Sequence, residues 1–193
     1  LRVLSTLLQL DRQLTTWIAA QCSAVSVQWV LVVFTWAGVG GSIWFALAGV
    51  GWVATPRRRA ALWRAVMAMA FTFASVDWIA KPLVARERPF LHGPAPSAIV
   101  WRPTSSSFPS GHAASAAAGA LALSRAWPPA AVPLTLLAAA ITFSRVGLGV
   151  HYVGDVTGGT LLGLLMASLA CPRRIPARGD RRPASDSNAG VAE

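Results

Sequence analysis

A chain of 193 residues that is 54% hydrophobic and 12% charged, with a mean hydropathy of +0.52, is too apolar for an ordinary soluble domain. Its net charge of +10 comes from 17 Lys and Arg against 7 Asp and Glu. Most of the arginines flank apolar runs and no nucleic-acid motif accompanies them, which excludes a DNA- or RNA-binding protein and points to membrane topology with an anionic substrate. Cys22 and Cys171 have neither CxxC spacing nor a nearby partner, which excludes a disulfide scaffold and reads as apolar filler.

Residues 3 to 21 place Leu4, Leu7, Leu8, Leu14, Trp17 and Ile18 at helical spacing around Asp11, Arg12 and Gln13. The charged middle interrupts any cleavable signal and predicts an interfacial helix, so residues 1–24 read as an amphipathic segment. Val27 to Ala54 reads as one membrane span, with Gly38, Gly40 and Gly41 able to kink it; split in two, each half is too short to cross alone. Thr55-Pro56-Arg57-Arg58-Arg59 is a cationic turn, and residues 60–80 form the next span. An interfacial loop of about 28 residues follows over 81–108, a length that usually signals function. Further spans are predicted at 110–126, 129–145 and 151–171, separated by Trp127-Pro128-Pro129 and by Val146 to Val150. Residues 172–193, rich in Arg, Pro, Ala and Ser, predict a disordered basic tail. The fold expected is all-α: a polytopic membrane helical bundle over 25–171, with five transmembrane helices plus an N-terminal interfacial or degenerate sixth helix.

The basic residues orient it. Arg57, Arg58, Arg59, Arg64, Arg125, Arg173, Arg174, Arg178, Arg181 and Arg182 fall on one side when the spans alternate, which the positive-inside rule assigns to the cytoplasm. Span counting then brings three polar islands to the opposite, extracytoplasmic face. These are Lys81 to Pro89, Arg102 to His112, and Ser144-Arg145 with His151 and Asp155.

Lys81, Arg88 and Arg145 crowded at one membrane surface repel each other unless a multivalent anion joins them. A phosphoryl group fits: arginine forks bind its oxygens bidentately, lysine adds a point charge, and N–H groups at a helix start near Ser110 and Gly111 complete a cage. His151 and Asp155 are four apart, so on one helix the carboxylate can hold the imidazole in one tautomer and leave the other nitrogen to attack phosphorus. His112 would then protonate the leaving oxygen. No cluster of Asp, Glu, His and Cys remains for a metal or other cofactor, and the three cations take the charge-neutralising part that magnesium plays elsewhere.

Lys81, six residues, Arg88-Pro89; then Pro109-Ser110-Gly111-His112; then Ser144-Arg145, five residues, His151, three residues, Asp155: this resembles the full tripartite signature of the type 2 phosphatidic acid phosphatase (PAP2) superfamily. The resemblance spans residues 81–155 and implies a metal-independent lipid phosphatase. It implies His151 as phosphohistidine nucleophile, Asp155 as its orienting group, His112 as general acid, and Lys81, Arg88, Ser110, Gly111 and Arg145 as phosphate-binding groups. Arg86, Glu87 and Arg102 fall outside the signature and receive no role from it. Members of the family usually have six spans, and five are expected here.

Taken singly, Lys81 and Arg88 read as snorkelling cations, His151 with Asp155 as an interfacial hydrogen bond, and Ser110-Gly111 as a helix cap. Their joint occurrence, each at the outer end of a predicted span, favours the site. Asp77, one turn before Lys81 in an apolar span, reads first as a structural partner of Lys81 and second as a pocket residue. His92 reads as a surface histidine. Trp101 and Phe108 read as contacts for a lipid chain or as interfacial anchors. The expected enzyme removes phosphate from a membrane lipid at the outer leaflet of the plasma membrane, a polyprenyl phosphate or diphosphate before phosphatidic acid or phosphatidylglycerol phosphate. The alternatives are a lipid phosphotransferase using the same intermediate and a non-catalytic lipid-phosphate transporter or binding subunit; five apolar spans conflict with a soluble haloperoxidase.

Overall fold

A computed structural model describes residues 2–92 and 102–172, and every regular element among them is helical. Trp101 and, from residue 173 on, the expected tail lie outside the described residues. Helix α1 (Arg2–Gln21) turns its apolar side outward, with Leu7 and Trp17 exposed, and meets α2 (Val25–Ala37) at a bend of 114°.

The single span expected over 27–54 is broken. Gly40 (φ 58°) and Gly41 (φ 73°) take left-handed conformations that glycine adopts without strain, and they separate α2 from α3 (Ser42–Ala54). A Cβ at Gly38 would stand 2.7 Å from Ile141 and 3.0 Å from the His112 ring, so the break lets the backbone pass close to two other helices.

Helix α4 (Arg59–Ala74) continues through a π-helical segment (Ser75–Ala80) into the one-turn α5 (Lys81–Val84). The boundary expected at residue 80 is therefore four residues early. Pro82 has no N–H to give and its ring would crowd the carbonyl of Trp78; a widened turn ahead of it relieves both problems. The run ends at Ala85, whose φ of 47° cannot continue a helix.

The centre of the bundle is α6 (Gly111–Ala126), an Ala, Gly and Ser helix with 11 of its 16 residues buried. Small side chains let its neighbours come close, as membrane helices require in place of a hydrophobic driving force. On one side Trp44 of α3 lies on Gly119, where a Cβ would sit 2.6 Å from the indole. On another, α8 (Val153–Ala170) brings Gly159 and Gly163 against the α6 backbone: a Cβ at either would be 2.4 Å from the Ser110 carbonyl oxygen or 2.1 Å from that of Ala114. Helix α7 (Ala131–Gly147) completes the packing.

Contacts fix the directions. Gly41 meets Ser115 and Gly51 meets Trp127, so α3 runs parallel to α6. Arg58 donates to the Ala126 carbonyl (2.5 Å) while Val76 faces Gly111, so α4 runs antiparallel. Arg125 donates to the Ala167 carbonyl (3.1 Å), so α8 is parallel again. One end thus gathers the α2/α3 break, α5, the start of α6, the end of α7 and the start of α8. Arg57, Arg58, Arg64 and Arg125 share a cavity at the other end.

Among the described residues three helical runs are long and apolar enough to cross a membrane, Pro56–Leu91, Pro128–Gly147 and Val153–Ala170, and the bent α1/α2 pair would make a fourth. At 16 residues α6 falls short of that measure, as does α3 at 13.

Candidate active site

The three polar islands meet at the first of those ends. Lys81, Arg88, Gly111, His112, Arg145 and His151 line one cavity of about 170 Å³, together with Asp77, Ser105 and the Gly38–Gly41 break. Residues 81 and 151 are brought to one pocket because α4 and α7 arrive at this end while α6 and α8 leave from it.

Arg88 follows the helix end in extended backbone (φ −87°, ψ 154°) and is only 4% exposed. Its Nε donates to the Ser105 carbonyl (2.8 Å), and Nη1 donates to the Val150 carbonyl (2.9 Å) while lying 3.2 Å from His151 Nε2. Burial lowers its pKa to about 10, a loss partly countered by the Asp155 charge, so the guanidinium stays protonated at neutral pH. Arg145, at the end of α7, is 3% exposed and donates to the Thr35 hydroxyl (3.3 Å), which in turn is 2.8 Å from Ser144 Oγ. Lys81 pairs with Asp77 one turn earlier at 2.5 Å.

His151 lies in the short α7–α8 connection, 2% exposed, with its backbone N–H on the Arg145 carbonyl (3.2 Å). Burial pushes its pKa down to about 3; the nearby Asp155 carboxylate opposes this, and Arg145 and Arg88 add to it. The ring is therefore neutral near pH 7. Its Nδ1 is 3.5 Å from Asp155 Oδ2, and Nε2 faces Arg88 and the cavity. Asp155, wholly buried, also accepts the Tyr152 N–H at Oδ2 (2.9 Å) and a hydroxyl bond from Ser107. That combination places a proton on Nδ1 and the free lone pair on Nε2.

His112 occupies the first turn of α6, and its Nε2 is buried with no hydrogen-bond partner among the described residues; the same holds for Nε of Arg145. Two orphaned nitrogens in one polar cavity mark a site that awaits a polar ligand. Ser110, expected to bind the same ligand, is turned away: it is fully buried, its hydroxyl caps the Ala113 N–H (3.5 Å) and its own N–H donates to the Asp155 carbonyl (3.0 Å). The cap leaves the α6 start free to present N–H groups, which is a supporting placement rather than a direct one.

His92 is at the surface beside Glu87, 2.5 Å away, and Phe108 packs on Gly158 of α8. Three residues near the site had no expected part in it. Ser107, buried, holds Asp155; Arg86 and Asp11 lie behind that carboxylate, with Arg86 Nη1 on Asp155 Oδ1 at 2.7 Å. For Asp11 a signal existed, since an acid amid an apolar helix calls for a partner; nothing set Ser107 apart from Ser105 and Ser106.

Residues 61–175 match the PAP2 superfamily. A decaprenylphosphoryl-5-phosphoribose phosphatase of Mycobacterium tuberculosis is 39% identical over 127 residues, covering 65% of this chain and 68% of the relative. The protein of the same description from Mycolicibacterium smegmatis is 40% identical over 117 residues, covering 60% and 62%. Among solved structures, Aquifex aeolicus LpxE superposes with a TM-score of 0.65 at 24% identity, over 82% of this chain and 92% of that one, a likeness of fold.

Proposed function

Because the chain belongs to the PAP2 superfamily, we propose that it is a lipid phosphate phosphatase that hydrolyses a phosphomonoester on the head group of a prenyl-linked lipid through a phosphohistidine at His151. The observation that carries this reading is the setting of that imidazole: Nδ1 toward Asp155 (3.5 Å), Nε2 toward Arg88 (3.2 Å), in a cavity shared with Lys81, Arg145 and His112.

The phosphoryl group sits among Lys81, Arg88, Arg145 and the N–H groups at the start of α6, which neutralise its oxygens as charge spreads over them. Nε2 of His151 attacks phosphorus, forming the P–N bond as the bond to the lipid alkoxide breaks. His112 gives that alkoxide its proton. Asp155 accepts the Nδ1 hydrogen throughout and balances the charge of the substituted imidazolium. Water then enters, His112 takes back a proton from it, and the resulting attack on phosphorus breaks P–N to release orthophosphate. The three cations supply the charge neutralisation, so turnover proceeds without a divalent metal.

The relatives that share about two fifths of their aligned residues are described as acting on decaprenylphosphoryl-5-phosphoribose. A sugar phosphomonoester carried on a prenyl phosphate is therefore favoured here over a prenyl diphosphate or phosphatidic acid. With α2–α3, α4, α6, α7 and α8 taken as five crossings over residues 25–171 and α1 as an interfacial helix, the cavity opens on the extracytoplasmic face of the plasma membrane, where the prenyl tail stays in lipid. The arginines of the other end then face the cytoplasm.

Phosphate release by the purified protein, measured with EDTA present against decaprenylphosphoryl-5-phosphoribose, farnesyl phosphate, phosphatidic acid and phosphatidylglycerol phosphate, tests the reading. Release is expected without added metal and fastest from the first. Strict dependence on magnesium would remove the metal-free mechanism, and transfer to an added alcohol without release would make the protein a phosphotransferase.

A further inference from the structure

Asp155 has two carboxylate oxygens, and only one of them serves His151. Oδ2 faces the imidazole and accepts from Tyr152 and Ser107. Oδ1 is held by Arg86, whose Nη1 donates to it at 2.7 Å. The other prong of the same guanidinium, Nη2, donates to Asp11 Oδ2 on α1, also at 2.7 Å, and its plane covers the Tyr152 ring at 4.0 Å. Asp11 does more than balance the charge: its Oδ1 accepts the N–H of Gly154 (2.8 Å), and Thr15, one turn on, accepts that of Val153 (3.1 Å).

Helix α8 therefore begins with N–H groups that are capped from another helix. The fit is close. A Cβ at residue 154 would lie 2.9 Å from Asp11 Oδ2 and 3.4 Å from Arg86 Nη1, so glycine there is what allows the approach. Away from Asp11 and Thr15, α1 carries exposed Leu10, Leu14 and Trp17, the surface by which an interfacial helix seats in lipid.

We propose that Arg86 and Asp11 form a positioning relay for the reaction, in which α1, through Asp11, holds the Arg86 fork, and the fork holds Asp155 so that His151 keeps the orientation needed for attack. The inference rests on the nucleophilic role proposed for His151. Neither residue touches the phosphoryl group; both act through a carboxylate that is wholly buried and, without Arg86, keeps an oxygen with no partner among the described residues. Such a carboxylate rotates or draws in water, and the imidazole behind which it stands loses its fixed direction. Arginine is required because one planar fork must engage two carboxylates on different helices; a lysine can hold only one well. The N-terminal helix is thereby part of the active-site architecture as well as a membrane contact.

The test compares the full chain with Arg86→Ala, Arg86→Lys, Asp11→Ala and the Asp11→Ala/Arg86→Ala double variant. Turnover of decaprenylphosphoryl-5-phosphoribose and binding of vanadate and of inorganic phosphate are measured for each, with thermal unfolding in detergent as the control for folding. Arg86→Ala is expected to lower kcat about 10–100-fold, the range for groups that orient another ligand-bearing residue, with KM changed less than about twofold. Vanadate, which adopts the geometry of the transition state, should bind about tenfold more weakly, and phosphate unchanged. Arg86→Lys should recover part of kcat, and kcat of the double variant should be no lower than that of Arg86→Ala, because Asp11 reaches Asp155 through Arg86; loss of its separate bond to the Gly154 N–H should show in thermal unfolding instead. Unchanged kcat and vanadate affinity in Arg86→Ala, a loss confined to KM, or multiplicative losses in the double variant would overturn the relay. If Arg86→Ala unfolds, Arg86→Lys and Asp11→Ala decide by the same two readouts. A parent protein that binds neither vanadate nor phosphate would instead overturn the function proposed above.

Discussion

Gly163→Ala tests whether the fold sets the site through the spacing of two helices. The added methyl would stand 2.1 Å from the Ala114 carbonyl oxygen and 2.9 Å from its carbon, whereas real Cβ atoms do not come within 3.0 Å. The obstacle is backbone, so no side chain can step aside, and α8 must move off α6 by about 0.9 Å at least, the difference between those two distances. Overpacking of this kind costs about 1–3 kcal/mol. The displacement is carried up both helices to His151 with Asp155 on one side and His112 on the other, and a misplacement of about 1 Å between reacting groups costs on the order of 10²-fold in rate. The assay is kcat with thermal unfolding in detergent, set beside Gly49→Ala, where nothing lies within 4 Å of the new methyl. Gly163→Ala should lose both rate and stability while Gly49→Ala keeps them; a Gly163→Ala protein with the parent's kcat would refute the claim that α6–α8 contact positions the imidazoles.

His151→Ala should abolish turnover by removing the attacking nitrogen, whereas Lys81→Ala should lower kcat/KM about 10²–10³-fold, the range for one lost transition-state donor; phosphate release by each variant distinguishes them. Asp77→Asn removes the charge paired with Lys81 at 2.5 Å and should lower kcat/KM about tenfold, far less than His151→Ala; equal losses would place the acid in the chemistry. The pH dependence of stability follows from His151, whose folded pKa of about 3 lies below its ordinary 6.5. Between those values the unfolded chain binds the proton more readily, so this contribution is present above pH 6.5 and is lost as the pH falls toward 3. His151→Asn should flatten the thermal stability profile over that window relative to the parent, and an unchanged slope would contradict burial of the neutral ring.

What the sequence disclosed and what it hid divide along physical lines. Helices α6, α7 and α8 announce themselves by long apolar runs closed by Trp-Pro-Pro and by a glycine-rich turn, and the structure places their ends within two residues of expectation. The break at Gly38–Gly41 was visible as composition, but whether three glycines bend a span or end it depends on the close passage against Ile141 and His112, which is a tertiary fact. The run past Lys81 was hidden for the same reason: Pro82 signals a stop, and only the π turn ahead of it lets the helix go on. The groups of each polar island could be named because their spacing is local, such as Asp155 four residues beyond His151. Arg86 and Asp11 stand 75 residues apart, and their meeting depends on α1 folding back across the start of α8. No periodicity encodes that contact. A charged residue in an apolar helix states that it needs a partner, and the identity of the partner is supplied by the packing of glycine 154, which leaves room for two carboxylates to share one guanidinium.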